Sequence, residues 1–231
     1  MRVSRIILVL LPLWLWPVGA VAHHGRDYLN VRSADLPHPG QVYFVPRCDF
    51  ATEGGVSETE LEPSLLVGAL PWLSAEVHAH ISGEEGEDLR YEATAPSVQI
   101  SLPGERTWGV SLSTEYELAA ESDGHDRAEA IGIVSGMLSG YQIALNLRWT
   151  GEDHVSPEWG YAAGLRSRAA PGLSFGLEAQ GGFAGDAQHE ALLGMYIDAA
   201  SRTTLNLGLG AGLGPQGPDA TLRTTVVFRI K

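Results

Sequence analysis

From Gln41 onward the chain alternates. Leu73, Ala75, Val77, Ala79 and Ile81 are interleaved with Ser74, Glu76, His78 and His80. The same period of two runs through residues 107–118, 141–149, 173–180, 205–213 and 221–230. Successive side chains of a β-strand point to opposite faces, so each run predicts a strand with one apolar and one polar side. Filling the intervals predicts twelve strands, near residues 41–50, 59–69, 73–81, 90–102, 107–118, 128–137, 141–149, 158–167, 173–180, 190–198, 203–213 and 220–230. Pro46, Pro63 and Pro96 interrupt three of them. A proline cannot donate to a ladder, so ten strands is the alternative count.

The connections segregate by parity. Residues 51–58, 82–89, 119–127, 150–157, 181–189 and 214–219 read as longer loops, acidic or glycine-rich. The five that alternate with them, 70–72, 103–106, 138–140, 168–172 and 199–202, are short and hold one acid, Glu105. Long loops at one end and short turns at the other are the organisation of an outer-membrane barrel with both termini periplasmic. Trp72, Trp108, Trp149 and Trp159 fall at predicted strand ends. Indole favours the membrane–water boundary, where the ring is buried and its N–H stays wet. The fold class is therefore all-β, a single antiparallel transmembrane β-barrel spanning residues 41–231.

The first 22 residues stand apart from that pattern. Arg2 and Arg5 precede an apolar stretch over residues 6–15, and Ala20-Val21-Ala22 supplies a small-x-small cleavage signature. Residues 1–22 thus read as a cleaved signal peptide, and a mature chain is expected to begin at His23. Residues 23–40 form an N-terminal periplasmic or plug segment.

Charge removes one class of function. Without Arg2 and Arg5 the chain holds 13 basic against 28 acidic residues, a net −15, and Lys231 is the one lysine. No basic surface for nucleic acid exists on such a chain. Cys48 is alone, which rules out an intramolecular disulfide or a cysteine-rich metal site.

The motifs His23-His24-Gly25, Leu61-Glu62-Pro63, Trp159-Gly160-Tyr161-Ala162-Ala163-Gly164 and the closing run over residues 222–230 carry a resemblance. The chain resembles proteobacterial outer-membrane β-barrel transporters related to the phenol-degradation meta-pathway proteins. The resemblance implies a barrel and transport, and it assigns no catalytic or binding residue. The chain also departs from a common barrel ending, since Lys231 follows the last apolar residue where a terminal aromatic is usual.

Candidate chemistry lies on the polar faces. Glu76, His78 and His80 share one side of a strand at two-residue spacing, about 7 Å from one to the next, near enough for two imidazoles to share a metal. The competing reading is polar lining of a wet lumen. His23, as a mature N-terminus, would offer an amine and an imidazole together, with His24 beside it, a chelating set for copper; an unstructured tail is the alternative. His125, His154 and His189 stand next to acids in the long loops, as on a rim that attracts divalent cations or bridges through them to lipopolysaccharide.

Arg47, Arg148, Arg166, Arg223 and Arg229 are expected to face the lumen, with Asp49, Glu115, Glu117, Glu178 and Asp198. They either compensate one another or form a charge-selective constriction. Inward glycines at 160, 164, 176, 194, 208, 210 and 212 leave space for a passage or for residues 23–40. Leu145 faces lipid and Asn146 the lumen, so arginine should be tolerated better at 146 than at 145.

No Gly-x-Ser-x-Gly elbow, His-Glu-x-x-His motif or phosphate-binding glycine loop occurs, and a barrel lipase or deacylase would need a Ser–His pair on neighbouring strands. The leading expectation is an outer-membrane channel for small solutes. The alternative is a non-transporting barrel that binds a divalent metal. No other cofactor is expected. The expected partners are outer-membrane lipid, lipopolysaccharide, the barrel-assembly machinery and a small solute.

Overall fold

Alternating side chains make strands, and strands with one apolar face must either pack on another layer or close on themselves. This chain closes. The computed structural model describes residues 24–102, 107–120, 125–152, 155–185 and 187–231. Residues 1–22, expected to be a signal peptide, and His23 lie outside them, as do Glu105, Glu121, Asp123, Asp153, His154 and Asp186. Twelve strands run in order: β1 (Val42–Glu53), β2 (Val56–Leu70), β3 (Leu73–Glu84), β4 (Arg90–Ser101), β5 (Trp108–Ala119), β6 (Arg127–Leu138), β7 (Tyr141–Glu152), β8 (Glu158–Ala170), β9 (Leu173–Gly182), β10 (His189–Ala200), β11 (Thr203–Gly212) and β12 (Ala220–Arg229). Each pairs antiparallel with its chain neighbours, and β1 pairs with β12 to seal the barrel.

The prolines do not reduce the count. Pro46 and Pro63 face each other across β1 and β2. The ladder skips beside them on the outer seams, β1–β12 and β2–β3, and Pro96 leaves a similar skip between β4 and β5. A missing donor interrupts one seam locally while the other seam of the same strand holds it in the sheet.

Loop length follows parity less strictly than the sequence suggests. Residues 51–58 were expected as a long loop, but β1 and β2 continue to Glu53 and Val56 around a two-residue turn. Gly54 and Gly55 both take positive φ, 58° and 86°, the backbone of a tight twisted hairpin turn. Glu58 and Glu84 therefore stand on strands, not in loops. At the other end two-residue turns stand at 71–72, 139–140, 171–172 and 201–202, while β4 ends at Ser101 and β5 begins at Trp108.

The outer wall is apolar. Leu145, Leu147, Phe175, Leu177, Leu193 and Leu209 all point outward and are exposed. An apolar surface wrapping a whole barrel is far larger than a water-soluble monomer displays, and it matches a hydrocarbon surround. Trp72 and Trp108 border it at the end carrying the termini; Trp149 and Trp159 pair across β7 and β8 toward the other.

Candidate functional site

The barrel's interior is occupied by its own N-terminal residues. Ser33 N–H donates to the Gly25 carbonyl at 3.4 Å and Ser33 Oγ to Asp27 at 2.9 Å, so residues 26–32 form a loop inside the wall. Its tip rests on one carboxylate. Glu178 of β9, 2% exposed, accepts the backbone N–H groups of Leu29 (2.8 Å), Asn30 (2.7 Å) and Val31 (3.1 Å). Tyr196 of β10 donates its hydroxyl to the same carboxylate at 2.6 Å. Four donors thus satisfy a charge that would otherwise be costly to bury.

Other wall side chains take the place of a neighbouring strand. Asn146 accepts the Arg32 N–H at 2.7 Å and donates to the Arg32 carbonyl at 2.9 Å. Ser135 accepts from Ala34 N–H, while Gln99 donates to the Ser33 carbonyl. Ser101 and Ser111 reach the Ala34 carbonyl, and Arg166 the Asp27 carbonyl. Ion pairs add to these: Arg26 with Glu76, and Arg32 with Glu115 at 3.1 Å.

Apolar contacts complete the seat. Tyr28, Leu29 and Val31 pack against Ala144, Ala162, Leu192 and Tyr196; Ala34 packs against Ile131 and Ile133. Close approach requires missing side chains in the wall. A Cβ on Gly164 would stand 2.7 Å from the Tyr28 ring, and one on Gly208 2.4 Å from Leu29 Cδ1. Gly176 and Gly194 instead make room for the Tyr196 ring.

Among the described residues, sizeable cavities lie on either side of this loop. One of about 870 Å³ opens at the end with the termini, lined by Asp27, Asp35, Pro37, Arg166, Arg168 and Asp198. The other, about 1330 Å³, opens at the far end, lined by Glu53, Glu58, Glu60, Arg127, Arg148 and Arg223 among others. Residues 26–32 stand between them beside a smaller void of about 100 Å³.

The expected lumenal charges are inside and mostly paired. Arg148 bonds Glu129 at 2.7 Å, Arg223 forms an ion pair with Asp49 at 2.7 Å, and Arg47 spans Asp49 and Glu62. Arg166 lies over the Tyr196 ring at 4.6 Å. Arg229 sits opposite Tyr43 at the end of β12. Glu115 and Glu117 face His78 and His80, at 3.4 and 3.9 Å.

The three residues Glu76, His78 and His80 do not converge. Glu76 turns to Arg26 and to Ser64 Oγ (2.7 Å), while both imidazoles turn toward glutamates of β2 and β5. Glu60 and Glu62 were not singled out by sequence, although Glu58, Glu60 and Glu62 alternate as one acidic strand face. His24 is buried against Tyr43, its Nδ1 accepting the Arg26 N–H at 3.0 Å. His189 does not join the histidines of β3: it meets Tyr161 Oη at 3.1 Å, next to Phe183. Ser64 stands opposite His78 in register, yet its hydroxyl serves Glu76 and the Val45 carbonyl, so no Ser–His dyad forms there.

No family model matches this chain, and no curated protein matches it in sequence. Solved structures do match. An outer membrane channel from Pseudomonas putida F1 aligns with a TM-score of 0.67 at 10% identity, over 83% of this chain and 96% of that one. The KdgM porin in complex with disordered oligogalacturonate aligns at 0.63 and 6% identity, over 82% and 99%. The NanC porin aligns at 0.59 and 10% identity, over 81% and 100%. At such identities the likeness is one of fold: a twelve-stranded barrel of the outer-membrane type.

Proposed function

We propose that this protein is an outer-membrane channel for small solutes, closed in the conformation described by its own residues 26–34. The observation that carries the reading is the pair of cavities, one open at each end, parted by a segment that wall side chains hold without its joining the wall. A lumen that size, lined with paired charges of both signs, suits small polar solutes, and a non-covalent obstruction is one that can move. The outward apolar belt faces lipid, and the far-end acids fit a cation-bridged contact with lipopolysaccharide. The barrel-assembly machinery would insert such a chain. The resemblance to transporters related to the phenol-degradation meta-pathway proteins puts small polar aromatic solutes among the first to assay.

Planar bilayers test this. The full chain should show small or rare conductance steps, and a variant lacking residues 24–36 should show larger, persistent ones. No steps from either would sink the channel reading. A second reading, a barrel that handles metal without transport, is favoured by the His–Glu cluster on β2, β3 and β5.

Orientation has its own test. Both termini are proposed to be periplasmic, so a cysteine at Glu85 should react with an impermeant reagent on intact cells, and one at Ala170 should not. The reverse pattern would invert the barrel.

A further inference from the structure

We propose that His78, His80 and Glu115 form a divalent-cation site of the zinc type on the lumenal wall. One ligand atom from each of the three lies within 4.8 Å of the others. The site depends on what stands between its strands. His78 and His80 belong to β3 and Glu115 to β5, with β4 intervening. There the residues opposite the two histidines are Ala95 and Ala93, both fully buried. Their methyl groups let the imidazoles lie across β4 and reach the carboxylates beyond; a larger side chain at either position would hold the histidines off.

The hydrogen bonding selects the ligand atoms. His80 Nδ1 faces Glu60 at 3.3 Å and Glu62 at 3.4 Å. A carboxylate behind a histidine holds the proton on that nitrogen and leaves the other as the metal-binding lone pair. That other atom, His80 Nε2, is buried without a hydrogen-bond partner, with Glu117 at 3.9 Å. His78 Nε2 points at Glu115 Oε1, 3.4 Å away, while the opposite oxygen of Glu115 holds Arg32. Two imidazole nitrogens and a carboxylate, with Glu117 or water completing four, are the donors zinc prefers in tetrahedral sites.

The site is independent of the channel reading, because binding is measured without transport. The purified full-length barrel in detergent would be titrated with Zn²⁺ by calorimetry, and with Co²⁺ while visible absorption is followed. One equivalent should bind, and Co²⁺ should develop the intense bands of four-coordination. H78Q/H80Q, close in size to the parent side chains, should lose both signals while retaining the heat-dependent gel shift of a folded barrel. E60Q/E62Q should weaken binding about 10- to 100-fold, as expected of groups that orient a ligand. H23A/H24A should bind like the parent. The proposal is overturned if the parent binds no Zn²⁺, if H78Q/H80Q binds as the parent does, or if H23A/H24A abolishes the signal. Should H78Q/H80Q fail to fold, A95L decides: it leaves every ligand in place, and parent-like binding would overturn the geometry.

Discussion

Glu178→Ala is expected to raise single-channel conductance several-fold while the barrel stays folded. Glu178 receives three consecutive backbone N–H groups of the N-terminal loop and the Tyr196 hydroxyl. Hydrogen bonds to a charged group contribute about 1.5–3 kcal/mol each, and a buried donor left without an acceptor incurs a penalty of similar size. Alanine removes the acceptor from four donors together, and residues 29–31 regain theirs by moving into water. The strands keep their ladders throughout. Glu178→Gln retains one acceptor oxygen and should lie between the two. Proteolysis within residues 24–40 should quicken in the same order. Conductance equal to that of the parent would show that the loop does not obstruct the passage.

Leu145→Arg should destabilise the barrel by about 2–4 kcal/mol, the cost of a cation at the midplane of a barrel's lipid face. Leu145 is exposed on the outer wall, with no lumenal route for a charged head group. Gln142→Arg, three residues earlier, is the contrast: that side chain lines the 870 Å³ cavity, where water solvates a guanidinium. Urea unfolding in lipid vesicles should separate the two variants, and equal losses would mean that the inside–outside assignment is wrong. Asn146, the contrast that alternation alone suggests, is unsuitable. It is 5% exposed and holds Arg32 through both its amide groups, so arginine there should dislodge the N-terminal loop and raise conductance with the barrel intact.

Asn146 shows where sequence reasoning stops. Its side is legible, since a period of two admits one assignment once any lipid-facing neighbour is known. What it touches is not legible, because Arg32 is 114 residues away in the chain. Glu178 is alike: a lumenal acid by alternation, a clamp by virtue of a loop 147–149 residues distant. A loop over residues 51–58 separates Glu58 from Glu60 and Glu62, whereas the alternation of the three is that of one acidic strand face. Two adjacent glycines turned the chain more tightly than its acidity suggested.

By itself, then, the sequence determined the strands, their facing, the closure into one sheet and the apolar outer belt. The strands, their facing and the outer belt follow from local alternation and from the pairing of chain neighbours, and closure follows because a sheet with one apolar face leaves its two end strands, β1 and β12, to pair with each other. Only the tertiary structure decided what fills the lumen and which lumenal charges meet. Closing the barrel brings β3 within reach of β5 across two alanines, and it brings residues 24–36 against strands around the wall, from β1 and β3 to β11. Neither proximity leaves any periodic trace in the chain, because the groups concerned interact through the enclosed space rather than along the ladder.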